Sequence, residues 1–197
     1  MSGLAPPPLL LGAQARSLEK HLRFHRPADE REAAYLERMK CLLAAPGDPF
    51  SRDHFTPGHF TASSFVLSPD RGNVLLIFHG KLQLWLQPGG HFEPSDSGAP
   101  EAARREVAEE TGVQQMALGL PEGGLLDVDI HRIPAHPRRG EPEHEHFDAR
   151  FLFVAPSLEF VAGSDAQAAR WVALEDVEDS GTDDSVRRAI RKLLAAC

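Results

Sequence analysis

Cysteine is all but missing from this chain: Cys41 and Cys197 are the only two in 197 residues, and neither belongs to a CxxC pair. That excludes a disulfide framework and a cysteine-built zinc centre, and it fits a reducing compartment. Long apolar runs are missing too. Leu9-Leu10-Leu11 follows three prolines with no basic residue before it, too short and too uncharged at its start for a signal peptide. No segment approaches the roughly 18 uninterrupted apolar residues of a membrane span. The expectation is a cytoplasmic protein. Basic charge is in deficit, with 21 Lys and Arg against 29 Asp and Glu and a formal net charge of −8. A nucleic-acid backbone needs a basic surface, so no stable nucleic-acid partner is expected. A phosphorylated small molecule stays open, because a bound cation reverses the local sign.

What is present suits a packed core, with 42% hydrophobic and 25% charged residues. The first dozen residues, with Pro6-Pro7-Pro8, read as a loose tail. Residues 13–45 read as two helices separated by Pro27. Leu18, Leu22 and Phe24 form a stripe on the first; Tyr35, Leu36, Met39, Leu42 and Leu43 recur at three- and four-residue spacing on the second. Pro46-Gly47-Asp48-Pro49 stops the pattern. Residues 1–55 are thus a tail and helical arm, which either packs on the main domain, covers its edge or supports a homodimer. The main domain is expected over residues 56–197. Strands are predicted over 60–67, 74–78, 81–86, 125–133, 144–154 and 169–174, and helices over 100–111 and 184–195. There is no internal repeat and no regular βαβ alternation, so the class is α+β or a sandwich.

The most informative stretch runs from Gly90 to Val113. On a helix, Glu106, Glu109 and Glu110 stand at i, i+3 and i+4 and share one face, where like charges repel. Gly112 closes that helix, so the glutamates lie at its negative end, where stability alone would not put them. A divalent cation gives the arrangement a purpose. All-oxygen ligands suit magnesium or manganese. Such an ion polarises a phosphoryl oxygen and acidifies a coordinated water, and an unliganded glutamate can take the proton. Arg105 can orient the carboxylates or balance their charge. An isolated acidic string of this kind is also common as a solvated helix face.

The segment Arg105-Glu106-Val107-Ala108-Glu109-Glu110-Thr111-Gly112-Val113 resembles the second half of the Nudix box at every fixed position. The first half departs. Counted from Gly90, the loop acid is Asp96 rather than glutamate, and its gap to Arg105 is one residue too long; Glu93 is an alternative loop acid. Trp85-Leu-Gln-Pro-Gly-Gly-His91 is similar to a run found in a bacterial Nudix subgroup. The resemblance implies an α/β/α sandwich with a mixed sheet, here with the N-terminal helical extension. It further implies metal held by Glu106, Glu109, Glu110 and the Gly90 carbonyl, and a base that is one of these glutamates or a distant loop acid. Nudix relatives cut many nucleotide-like substrates, and no accessory motif selects one.

A second polar region follows. Strand alternation puts Asp127, Asp129 and His131 on one face, and His144, His146, Asp148 and Arg150 on one face of the next strand. If residues 135–142 connect them, the two form an antiparallel pair, with His131 beside His146 and Asp129 near Asp148. Three readings stand: a solvent-facing sheet, substrate recognition through His131, His144, His146, Asp129 and Arg150, or a further metal site of histidine and aspartate. Glu141, Glu143 and Glu145 bracket the region, and Glu145 is a candidate loop base. Arg138-Arg139 reads as a solvated pair, Trp85 and Phe92 as core, and His54, His59 and His79 as structural. The function these readings favour is metal-dependent hydrolysis of a pyrophosphate bond in a nucleoside diphosphate linked to another group. The alternatives are a nucleotide-sensing module that lost hydrolysis, and an isomerase using a diphosphate as a metal-bound handle.

Overall fold

The structure is a computed structural model that describes residues 12–121, 124–161 and 168–195. The proline-rich start and Cys197 lie outside the described residues.

Helix α1 (Ala13–Phe24) buries Ala15, Leu18 and Leu22. Phe24, two residues past Leu22, turns to the opposite side and is 69% exposed, so Ala15 and not Phe24 completes the stripe. Helix α2 (Glu30–Ala44) starts at Asp29, whose carboxylate accepts the Glu32 N–H at 2.7 Å. It buries Leu36, Met39, Leu42 and Leu43, as the spacing predicts. Glu32 is also buried, between the first and last helices. It accepts from Ala28 N–H (2.5 Å), the His25 ring (2.7 Å) and Lys192 Nζ (2.6 Å). Burial opposes its charge, but these bonds outweigh burial and hold the carboxyl down at about 2.

The sheet is built around β1 (Gly58–Leu67), buried at all ten positions. Along one edge β1 pairs in parallel with β7 (His144–Val154), from Gly58↔Glu145 to Leu67↔Val154. Its other edge is divided. Residues Thr61–Ser63 pair with β4 (Gly89–His91), and Val66–Leu67 pair with β2 (Asn73–His79). Strands β3 (Leu84–Leu86) and β8 (Ala169–Ala173) pair with β2; β5 (Ala117–Leu118) and β6 (Leu125–Ile133) pair with β7. The β6–β7 register is Asp129↔Asp148 and His131↔His146, as expected from alternation. Strands β4 and β5 were not expected, because runs of two or three residues carry no periodic signal, and two of the three in β4 are glycine.

Alternation sorts the sheet into two faces. Phe60, Ala62, Val66, Phe147, Ala149 and Phe151 join the apolar residues of α1, α2 and α3 (Ala99–Thr111) in one cluster. Phe65, Leu67 and Leu152 face Val186, Ile190 and Leu193 of α4 (Asp184–Ala195). The result is helix, mixed sheet, helix, and the arm's apolar stripes are used on its own sheet. Helix α3 sits close because Ala99, Ala102 and Ala103 are its contacts, and Ser64 Oγ donates to Ala103 O at 3.2 Å. Gly112 ends it in the left-handed region (φ 68°), donating to Ala108 O.

Candidate active site

The last two turns of α3 lie beside β4. Glu110 accepts the Gly89 N–H at 2.9 Å, and Glu106 stands over Gly90. A Cβ on Gly90 would lie 2.6 Å from the Glu106 carboxylate, so a side chain there would displace that carboxylate. Glu109 points outward, its side chain 55% exposed. Glu106 and Glu110 therefore face the Gly89-Gly90 backbone, and Glu109 stands near Glu106 through their shared arginine, Arg105. Burial raises the Glu106 pKa against the pull of Arg105.

Arg105 answers part of the repulsion that the sequence leaves unbalanced. Its Nη1 donates to Glu106 (2.9 Å) and Glu109 (3.1 Å), Nη2 to His91 O (2.7 Å), and Nε and Nη2 both reach Asp96 at 3.1 Å. Burial disfavours its charge, yet Asp96 and Glu106 more than compensate and raise its pKa. Asp96 is buried and also accepts the Glu93 N–H at 2.7 Å. It thus ties the loop before α3 to the helix, while Glu93 stays exposed at 3.9 Å from Arg105. The extra loop residue is absorbed before the helix, and Asp96 rather than Glu93 is the loop acid that engages the arginine. Each of these contacts ties Arg105 to a carboxylate or to the β4 backbone.

The second polar region is not a solvent-facing sheet. Asp127, Asp129, Asp148 and Arg150 are all buried. Arg150 donates to Asp148 (2.9 Å), Asp127 (3.3 Å) and both oxygens of Ser185, and pairs with Asp129 at 3.2 Å. Arg188 adds bonds to Asp127 and Asp129, and Thr61 and Ser63 donate to Asp148. Burial opposes ionisation of Asp129, but Arg150 reverses the effect and lowers its pKa. The expectation that Arg150 and Asp129 bind substrate is corrected. Their hydrogen-bonding capacity is consumed inside the fold, because alternation assigns a face without saying whether a helix covers it.

At the far end of the same strands the histidines converge. The His146 ring lies 4.7 Å from His59, 5.1 Å from His91 and 5.4 Å from both His131 and His144. His131 is at the exposed rim, bonded to Asp129 at 3.2 Å; His144 is buried and bonded to Pro142 O. Burial, helped by the neighbouring charges, holds His59 and His91 at about 4 and His146 at about 2, so these rings are neutral near pH 7. His59 and His91 were missed by sequence reasoning. Five of ten histidines at alternate strand positions was the available signal, but only the parallel β1–β7 pairing brings His59 to His146.

The remaining candidates are dispersed. Glu145 pairs with Arg38 of α2, on the opposite side of β7 from His146. Glu143 pairs with Arg132, and Arg138-Arg139 lie in an exposed 3-10 turn. Phe92 is core, 4.9 Å from Phe50, and Trp85 packs under Arg170. His54 and His79 bond to nearby backbone in turns.

Comparison with known proteins agrees with this architecture. A probable DHNTP pyrophosphohydrolase from Lactococcus lactis subsp. cremoris is 34% identical over 92 residues, 47% of this chain and 51% of that protein. The chain thus matches about half the length of this curated relative. Among solved structures, the E. coli dihydroneopterin triphosphate pyrophosphohydrolase superposes with a TM-score of 0.54 at 20% identity, over 70% of this chain and 96% of that one. The NUDIX domain of Shewanella oneidensis NrtR, solved with ADP ribose, gives 0.53 at 17% identity, over 70% and 86%. At these identities the likeness is one of fold. The NUDIX domain family model matches residues 58–196, from the first residue of β1 through the whole of α4, and the chain belongs to the Nudix family.

Proposed function

We propose that this protein is a divalent-metal-dependent hydrolase that cleaves a pyrophosphate bond in a nucleoside diphosphate linked to another moiety. The observation that carries the reading is the placement of Glu106 over the Gly90 backbone and of Glu110 on the Gly89 N–H, with Glu109 joined to Glu106 through Arg105. The donor set is all oxygen and carries excess negative charge after Arg105 is counted, which fits magnesium or manganese. Glu106, Glu109, Glu110 and the Gly90 carbonyl are the groups that would hold the ion. Bound there, it would polarise a phosphoryl oxygen and lower the pKa of a coordinated water.

The chain's own residues supply the rest. Arg105 and Asp96 lock the loop to the helix so that the carboxylates keep their spacing while substrate arrives. One of these glutamates, or a loop acid, accepts the proton of the attacking water, whose oxygen bonds to phosphorus as the bridging P–O bond breaks and the other phosphate departs as the leaving group. His131, exposed at the rim, is available to contact the substrate. The relative named as a DHNTP pyrophosphohydrolase supports a nucleotide-like substrate, and the scarcity of cysteine and the lack of a long apolar run support a cytoplasmic setting. A substrate panel assayed with magnesium and with manganese, scoring phosphate and pyrophosphate release, tests the proposal. Metal-dependent release from a nucleotide-like substrate is expected. Binding without turnover across the panel would instead support the sensing module.

A further inference from the structure

The sheet face away from the glutamates carries a group of a different chemistry. One nitrogen each from His59, His91 and His146 lies within 4.8 Å of the other two. The three come from β1, β7 and β4, so the strand pairing that builds the sheet also brings the rings together.

His59 is the most buried of the three. It is 1% exposed, and its Nδ1 faces the His54 carbonyl at 3.2 Å. A carbonyl only accepts, so Nδ1 carries the proton and Nε2 is a bare lone pair. That Nε2 is buried without a hydrogen-bond partner, and its ring stands 5.0 Å from His91 and 4.7 Å from His146. A backbone carbonyl that fixes the tautomer and leaves the other nitrogen aimed inward is the usual support of a metal-ligating histidine. A stack of neutral rings with only a packing role would leave that buried acceptor unsatisfied, against the general rule for buried polar groups.

We propose that His59, His91 and His146 form a site for one borderline divalent transition metal of the zinc type, separate from the glutamate site. Three imidazoles suit zinc and its neighbours, whereas magnesium and manganese prefer oxygen. Nitrogens in a tetrahedral shell with metal–nitrogen bonds of about 2.0–2.1 Å lie roughly 3.3 Å apart, so closing from at most 4.8 Å needs about 1.5 Å, within reach of side-chain torsions. Three protein ligands leave a fourth position for water or a substrate oxygen. Strand β4 separates the two sites: Gly90 faces Glu106 on the α3 side, and the next residue, His91, points to the histidine face. The proposal stands independently of hydrolysis, because its test reads metal and not turnover.

The full-length protein is stripped with a chelator and titrated with cobalt(II), a spectroscopic stand-in for zinc. One equivalent giving the intense visible bands of a tetrahedral nitrogen-ligated ion, and displaced by zinc, is expected. The bands should persist in Glu109→Gln and Glu110→Gln and be lost at equimolar cobalt in His91→Ala and His146→Ala, with circular dichroism reporting folding. No tetrahedral bands in the wild-type protein, bands surviving in a folded histidine variant, or bands lost in the glutamate variants would each overturn the proposal. The wild-type and glutamate-variant spectra decide it even where a histidine variant does not fold.

Discussion

Arg105 stands among four carboxylates and Arg150 among three, and the two clusters are close in composition. Around Arg150, which is 2% exposed, Asp127, Asp129, Asp148 and Ser185 take every direction the guanidinium offers. Around Arg105, 19% exposed, Asp96 is equally sequestered, but Glu109 opens to water and Glu106 leans over a bare glycine backbone. One arginine closes an interior; the other holds acids at a rim where their remaining oxygens have room for a further partner. Residual coordinating capacity separates the two, and charge count does not.

The largest effect that sharpens this contrast is on turnover. Glu109→Gln and Glu110→Gln are expected to lower pyrophosphate release about 10²–10⁴-fold, while the Glu109 variant melts like the parent because that side chain is exposed. Steady-state kinetics beside thermal melts checks it, and a stability loss without a rate loss would make the two clusters alike. Next in size, Arg150→Met strands buried carboxylates and should cost roughly 3–5 kcal/mol in urea unfolding. Arg105→Met should shift stability less and turnover more.

An intermediate case is Glu32, a buried carboxylate with His25 and Lys192 as partners. Its folded pKa of about 2 is below the ordinary 4.5, so its contribution is complete above pH 4.5 and fades as pH falls toward 2. Glu32→Gln should remove that dependence from an acid titration of stability. The smallest expected effect is Asp29→Ala, a lost helix cap worth about 1 kcal/mol, measured by chemical denaturation.

The glutamates were legible because a helix converts spacing directly into a shared face; i, i+3, i+4 needs no tertiary knowledge. The long strands and the β6–β7 register were legible for the same reason, with a period of two. Asp96 could be found by counting, but its grip on Arg105 depended on how the loop folds back. Arg150 was misread because helix α4 covers its face and nothing local announces the cover. His59 was set aside because its partners lie on other strands, and a lone histidine near a strand start is ordinary.

The parallel alliance of β1 with β7 joins Thr61 to Asp148 across 87 positions of chain. Contacts so remote in order carry a high closure entropy and form slowly relative to local helices. The imidazole nest, which exists only once β1, β4 and β7 are paired, therefore assembles no earlier than this long-range closure.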